Sequence, residues 1–268
     1  MNIITLQSPG NILFSIGAIN IHWYGIIIAI AFLAGLAVAV YIAKQENIDP
    51  DEIINLSALL LVAGVVFARL YYVIFNWNYF SKHIAEIFML WQGGLSIHGV
   101  IIGCSAIFLV YAKVKKLPLF KYMSIFACAL PLGQAIGRWG NFFNSEAFGM
   151  PTSLPLRVYI PPEFRPLEYI NHEFFHPTFL YESIWNLIVF LILFFFVRIR
   201  FKDYGGMVAF SYLILYSTGR YFIEAIRLDN IYSICGLHIA QFISLLLIAI
   251  GMFSIFYSIY RKKHPYKQ

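Results

Sequence analysis

Four polar residues in one apolar stretch have spacings that suit chemistry on a single helix face. Tyr216, Arg220, Glu224 and Arg227 follow one another at intervals of three or four residues, so a helix would place them within roughly 80° of each other. Arg220 and Glu224 have the spacing of an i,i+4 ion pair. Ionisable side chains in apolar helices are costly and rare, and by default they suggest a functional site. The alternative is a structural pair that fixes the helix in a bundle.

A second group of polar residues lies among the glycines of the segment 137–149. Arg138 and Asn141 are three residues apart, so they share a face if a helix continues that far. An arginine with amide and carboxylate neighbours, here Asn144 and Glu146, suits an anionic headgroup, because guanidinium matches phosphate oxygens bidentately. An arginine that snorkels to water at a membrane boundary is the alternative. The pattern favours an anion site around Arg138.

His98 is the candidate proton acceptor. Free imidazole titrates near neutral pH, which suits a general base. A lone histidine at the start of a helix is more often structural, so both interpretations stay open. The three cysteines, Cys104, Cys128 and Cys235, lack metal-site spacing and are interpreted as packing residues. We see no ligand set for a metal and no need for a cofactor.

Long apolar stretches must position these residues. Of 268 residues, 60% are hydrophobic and 12% are charged, whereas a soluble domain has roughly 25% charged residues. Spans of about 20 apolar residues cross a bilayer as helices, because backbone groups in lipid must bond internally. We predict an all-α membrane protein that forms one domain over 1–268. The seven predicted spans are 22–43, 54–75, 95–112, 120–138, 179–197, 206–226 and 236–260.

Lysine and arginine are distributed unequally between the two ends of these spans. Twelve lie at one end and four at the other, while three fall within or at the ends of spans. The positive-inside rule then places the N-terminus outside and the C-terminus in the cytoplasm. The net charge of +6 is therefore a topology signal and does not indicate nucleic acid. The loop at about 139–178, rich in proline, is expected outside as an irregular folded segment.

With this orientation the polar residues converge on the outer half of the membrane. The convergence favours a function there, and three classes fit it: an enzyme acting on a lipid, a transporter or channel for an anion, and a lipid-binding chaperone or receptor without chemistry. A transporter predicts polar residues that continue through the cytoplasmic half, where this sequence has few. No internal repeat is visible, which weakens a transporter built from paired halves.

The segment Gly137–Gly149 resembles the signature segment of the prolipoprotein diacylglyceryl transferases. The resemblance covers nearly the whole chain in the order of the family. One departure is Val100, where the family commonly has a second glycine after the histidine. The further matching segments are His22-Trp23-Tyr24-Gly25, Ala68–Tyr72, Gly94–Gly99, His176–Glu182, Gly219–Glu224 and Gln241.

The resemblance implies a multi-pass enzyme of the bacterial inner membrane with an outward-facing site. Such enzymes move the diacylglyceryl group of phosphatidylglycerol onto the lipobox cysteine in the signal-peptide region of a prolipoprotein. A thioether forms and glycerol phosphate leaves. The implied partners are these two substrates and membrane lipids. By motif, Arg138, Arg220 and His98 would be catalytic, and the substrate-binding residues would be Arg138, Tyr24, Asn141, Glu146, Gly149, Tyr216 and Glu224.

The residues suit this reaction. The thiolate, not the thiol, is the nucleophile, so a base or a nearby positive charge is needed, and His98 or an arginine can supply it. Displacement at the glyceryl carbon expels a phosphate ester anion. Arg138 and Arg220 would bind that phosphate and stabilise its developing charge, an effect worth several kcal/mol in a dry site.

Overall fold

The computed structural model describes residues 3–17, 19–201, 204–228, 233–234 and 236–263. Cys235 lies outside these residues. The described residues form two compact units. Unit 1 comprises Met1–Ala39 and Met123–Gln268, and unit 2 comprises Val40–Tyr122.

The described residues are mostly helical. The helices are α1 (Trp23–Gln45), α2 (Pro50–Phe75), α3 (Trp77–Phe80), α4 (Ile97–Val114), α5 (Leu119–Phe143), α6 (Thr178–Leu191), α7 (Arg198–Arg200), α8 (Met207–Glu224) and α9 (Ile239–Lys263). A π-helical stretch, Ile192–Val197, continues α6 into α7.

Six helices among the described residues are long and apolar enough to cross a membrane. They are α1, α2, α4, α5, the stretch Thr178–Arg200 and α9. The prediction of an all-α membrane protein is confirmed. α8 is not among the six, since it carries Arg220 and Glu224 together with several hydroxyl side chains. A seventh span at α8 and the orientation of the termini stay predictions.

Short strands accompany the helices, and the sequence analysis predicted none of them. The strands are β1 (Ile4–Gln7), β2 (Ile12–Ile16), β3 (Ile19–His22), β4 (Leu156–Tyr159), β5 (Phe174–Phe175), β6 (Ser233–Ile234) and β7 (Leu237–His238). β4 pairs with β1 in parallel and with β5 antiparallel, while β2–β3 and β6–β7 are antiparallel pairs.

The segment 139–178 begins as helix and continues as short strands. α5 continues to Phe143, five residues past the predicted end of the span at 138, so Arg138 lies within the helix. Beyond it, Val158 of β4 and Phe175 of β5 are buried with Phe148 and Phe179 in one apolar cluster. Burial of this cluster holds β4 and β5 beside the start of α6.

In unit 2, glycines let α2 and α4 approach closely. A Cβ on Gly99 would lie 2.2 Å from the Phe67 carbonyl oxygen, and one on Gly103 would lie 2.3 Å from the Phe67 side chain. Gly99 and Gly103 have the small-xxx-small spacing of close helix pairs in membranes. The first turn of α4, which includes His98, is therefore fixed against α2 by backbone proximity.

Gly99→Ala should lower the free energy of unfolding, because the added methyl group forces the two helices apart. Overpacking of this kind typically costs about 1–3 kcal/mol. Gly25→Ala is the matched control, since a Cβ on Gly25 would have nothing within 4 Å. Thermal unfolding of the detergent-solubilised variants measures the difference. An unchanged melting temperature for Gly99→Ala would contradict the close packing.

Candidate active site

A single buried carboxylate, Glu182, is at the centre of the polar residues of unit 1. Near the start of α6, it pairs with Arg138 Nε of α5. It also pairs with Arg220 Nη1 of α8 at 2.7 Å, and with Arg227 Nη1, beyond the end of α8, at 2.8 Å. Its side chain is 5% exposed. Because the attraction of buried charges falls little with solvent screening, Glu182 ties three segments together.

Glu224 is the second carboxylate of this group and is fully buried. It pairs with Arg220 Nη2 at 2.6 Å, which confirms the predicted i,i+4 ion pair. We call Arg138, Arg220, Arg227, Glu182 and Glu224 the arginine–glutamate cluster. Three guanidinium groups and two carboxylates leave this cluster with one net positive charge. Such a cluster is suited to an anionic ligand.

Arg138 is the member of the cluster that is oriented to receive that ligand. Its Nε is held by Glu182, whereas the guanidinium makes no hydrogen bond or ion pair with any other residue that the structure describes. The side chain is 23% exposed. Two parallel N–H donors are the geometry that binds phosphate or carboxylate oxygens bidentately. Glu182 thus fixes the direction of a guanidinium whose outer edge is available.

Hydrogen bonds and one close contact hold α5, α6 and α8 around the cluster. Ser183 Oγ donates to the carbonyl of Ala135 on α5 at 2.8 Å. Trp185 Nε1 donates to the carbonyl of Leu215 on α8 at 2.9 Å. A Cβ on Gly219 would lie 2.1 Å from the indole of Trp185, so only glycine lets this ring pack against α8. The three helices therefore carry their charges at fixed separations.

A small polar cavity of about 10 Å³ lies beside the cluster. Among its lining residues, Asn186 is 2% exposed, and its Oδ1 accepts no hydrogen bond within the described part of the chain. Tyr216, stacked on Tyr212 with ring centroids 5.5 Å apart, lines the same cavity. Sequence analysis predicted Tyr216 at the site and missed Asn186, which gave no signal beyond one polar residue in an apolar span.

An apolar cleft of about 500 Å³ opens between α6 and α8 next to this cavity. Its walls include Ile184, Ile188 and Phe222, and Trp185 and Gly219 line both the cleft and the polar cavity. A charged cluster that adjoins an apolar cleft matches a molecule with an anionic head and a hydrocarbon tail.

The other predicted residues around Arg138 contact one another. Asn141 Nδ2 donates to Glu146 Oε1 at 2.8 Å, and Asn144 Nδ2 donates to the same oxygen at 3.3 Å. Neither Asn141 nor Glu146 forms a hydrogen bond or ion pair with Arg138 among the described residues. Tyr24 packs over Gly140, where a Cβ would lie 2.7 Å from Tyr24 Cδ2. The carboxamides thus orient Glu146, and Tyr24 covers α5 one half-turn past Arg138.

Gly149 contacts the backbone of two other segments, one at His176 and one at Ile226–Arg227. Its N–H donates to the His176 carbonyl at 2.9 Å, and it forms an isolated β-bridge with Arg227. A Cβ there would lie 2.7 Å from the Ile226 carbonyl oxygen. Gly149 therefore contributes by holding the backbone of Arg227, which sequence analysis placed on the polar helix face but not among the site residues.

His98 belongs to unit 2, and its catalytic role stays a prediction. It is exposed in the first turn of α4. Its ring stacks on Tyr71 of α2 with centroids 5.7 Å apart, and Tyr71 in turn stacks on Phe75. Among the described residues, no three His, Cys, Asp or Glu side chains gather as metal ligands.

Glu182→Gln should destabilise unit 1 more than any other single carboxylate change in it. The substitution leaves three guanidinium groups without their shared charge, and breaking a buried ion pair typically costs about 3–5 kcal/mol. Glu146→Gln, at an exposed carboxylate, should change stability by less than about 0.5 kcal/mol. Thermal unfolding of both variants makes the comparison, and equal melting temperatures would show that Glu182 does not organise the cluster.

His176 should make the protein less stable in acid. Burial lowers the pKa of His176, so the folded state resists protonation that the unfolded state accepts below about pH 6.5. The contribution of neutral His176 to the free energy of unfolding is therefore fully present above that pH and is lost as the pH falls. His176→Gln should flatten the pH dependence of the melting temperature between about pH 6.5 and 5. His172→Gln, at an exposed histidine, should leave it unchanged. A curve for His176→Gln that overlays the wild type would contradict this.

Comparison with known proteins identifies the family of this chain. A profile of the family described as prolipoprotein diacylglyceryl transferase matches residues 11–257. The chain is similar to proteins named phosphatidylglycerol–prolipoprotein diacylglyceryl transferase. It is 46% identical over 265 residues to that of Nostoc sp., covering 96% of this chain and 92% of the relative. It is 45% identical over 261 residues to that of Thermosynechococcus vestitus, covering 97% of each. This chain belongs to the prolipoprotein diacylglyceryl transferase family.

Proposed function

We propose that this protein transfers the diacylglyceryl group of phosphatidylglycerol to the lipobox cysteine of a prolipoprotein. The relatives are named for phosphatidylglycerol and prolipoprotein. For this chain, the proposal rests on the way the Arg138 guanidinium is held. Glu182 holds its Nε, the guanidinium has no other partner among the described residues, and its cluster has one net positive charge.

The two parts of the lipid match two neighbouring parts of unit 1. The phosphodiester carries one negative charge, which the outer edge of Arg138 would bind through two N–H donors. An acyl chain would occupy the apolar cleft between α6 and α8, with Trp185 and Gly219 at the junction. Because the acyl chain already lies in hydrocarbon, this contact would contribute van der Waals packing and orientation and not a hydrophobic driving force. The two interactions together would orient the glyceryl carbon that reacts.

The reaction is a displacement at the glyceryl carbon bonded to the phosphate ester oxygen. The cysteine thiolate forms the C–S bond, the C–O bond breaks, and its electron pair leaves with glycerol phosphate. The thiol proton passes to a base, for which His98 is the candidate. The phosphate gains close to one negative charge as it becomes a monoester. Arg138 and Arg220 would stabilise the transition state because their attraction grows with that charge.

The orientation proposed for this reaction follows from the charge distribution along the chain. Twelve basic residues flank one end of the helices and four flank the other, which supports an extracytoplasmic site by the positive-inside rule. A bacterial cytoplasmic membrane would supply phosphatidylglycerol at that face. α8 would then be the seventh span. Its polar face carries Arg220 and Glu224 and would be shielded from lipid by α6, through the pairing of Arg220 with Glu182.

Proteoliposomes that contain labelled phosphatidylglycerol and a lipobox peptide test the function. The wild-type protein should transfer the label to the cysteine, and Arg138→Ala should lower kcat by about 10²–10³-fold, as the loss of a transition-state donor does. Arg157→Ala is the matched control, because Arg157 lies over the Phe174 ring at 3.6 Å, outside the cluster. Near wild-type activity of Arg138→Ala would contradict the phosphate-binding role. Lipid binding or solute flux without transfer would contradict the enzyme itself.

A further inference from the structure

Arg69 of α2 is a buried arginine that the proposed reaction does not use. It is 6% exposed, and its guanidinium donates four hydrogen bonds, all to backbone carbonyls. Nε donates to Ile87 at 2.8 Å and Nη2 donates to Glu86 at 2.5 Å. Nη1 donates to Gly93 at 2.7 Å and to Gly94 at 3.1 Å. The Arg69 side chain thus binds four carbonyls in the connection between α3 and α4, which lie 17 to 25 residues after it in the sequence.

Backbone carbonyl dipoles and two aromatic rings stabilise the positive charge of Arg69. It makes no ion pair within the part of the chain that the structure describes, and the Glu86 carboxylate instead accepts a hydrogen bond from Tyr79 Oη at 2.8 Å. The guanidinium carbon lies 5.1 Å from the Phe80 ring centroid and 5.9 Å from that of Tyr72. With four of its five N–H donors engaged and two aromatic rings against its guanidinium, Arg69 has no pair of free donors for a substrate anion, unlike Arg138.

The carbonyls that Arg69 binds belong to the turn that starts α4. Gly93 and Gly94 have positive φ angles of 83° and 72°. A Cβ on Gly94 would lie 2.5 Å from Arg69 Nη1. Two residues later, the N–H of Ser96 donates to the carbonyl of Ala68, next to Arg69, at 3.1 Å. Ser96 is the residue from which α4 begins, so both ends of this short turn are attached to one point on α2.

His98 follows this turn directly. Its ring also stacks on Tyr71, two residues after Arg69 on the same helix. The backbone of His98 is therefore placed by the turn and its imidazole by Tyr71, and both depend on the same stretch of α2. If the turn were released from Arg69, the first turn of α4 would keep the Ser96–Ala68 hydrogen bond and the Gly99–Phe67 approach but would lose the contacts that fix the backbone just before it.

We infer that Arg69 is a positioning residue for His98, acting through its hydrogen bonds to the carbonyls of residues 86–94. The inference rests on the proposed function to the extent that His98 is taken as the base of the transfer reaction. Misplacing a reacting group by about 1 Å can cost about 10²-fold in rate. Loss of Arg69 should therefore act on the chemical step and leave lipid binding at the arginine–glutamate cluster intact.

A double-mutant cycle with His98 tests this role. Arg69→Met should lower kcat by about 10–10²-fold with less than about a twofold change in KM for phosphatidylglycerol. Arg69→Met combined with His98→Ala should be no slower than His98→Ala alone, because residues that act through one group are non-additive. Arg69→Lys should recover part of kcat. Tyr79→Phe, which removes only the bond to the Glu86 carboxylate, should match the wild type.

Additive losses in the cycle, or a change confined to KM, would overturn the positioning role. Full activity of His98→Ala would also overturn it, while leaving the proposed transfer reaction standing. Absence of transfer by the wild-type protein would instead overturn the proposed function. The two failures are thereby distinguishable.

A second variant, Gly94→Ala, tests the same role even if Arg69→Met does not fold. Its kcat and its amide hydrogen exchange are both measured. Gly94→Ala retains the charge of Arg69 but forces its Nη1 away, since the new Cβ would lie 2.5 Å from it. It should reproduce the fall in kcat, whereas Gly93→Ala has nothing within 4 Å of its Cβ and serves as the control for positive-φ strain. Backbone amides of residues 89–96 should exchange at least tenfold faster in Gly94→Ala than in Gly93→Ala. Equal exchange and equal kcat in the two variants would overturn the inference.

Discussion

The buried carboxylate of Glu182 is the interaction on which the site depends. Three guanidinium groups from two helices and one following segment converge on it, and they could not lie together in a region of low dielectric without a shared counter-charge. Glu182 also determines which edge of Arg138 faces outward. Glu182 thus makes a cationic cluster tolerable inside a membrane protein, and together with Glu224 it leaves that cluster with one net positive charge for a ligand.

The helices around Glu182 give the cluster an apolar neighbour. Gly219 lets the indole of Trp185 pack against α8, and these two residues separate the polar cavity from the cleft between α6 and α8. In unit 2, Gly99 and Gly103 bring α4 against α2 in the same way. In both units, missing side-chain volume permits the close approach that places a polar group, and a phospholipid has the matching division into charged head and apolar tail.

Local features could be predicted from the sequence, and features that depend on distant pairing could not. The helices followed from hydropathy, and the Arg220–Glu224 pair followed from spacing on one helix. The span containing Arg138 was ended too early because Trp139, Gly140 and Asn141 interrupt the apolar run, although the backbone continues as helix to Phe143. β1 was missed because its partner, β4, lies about 150 residues away. For the same reason the sequence did not predict that Glu182 pairs with three arginines, since all three lie in other segments.

The most direct measurement is an experimental structure of this protein with a non-reactive analogue of phosphatidylglycerol, in which the ester oxygen that leaves is replaced by a methylene group. A phosphate oxygen within about 2.7–2.9 Å of Arg138 Nη1 or Nη2, with an acyl chain between α6 and α8, is the predicted result. A phosphate bound away from Arg138, while Arg138 remains paired with Glu182 alone, would contradict it.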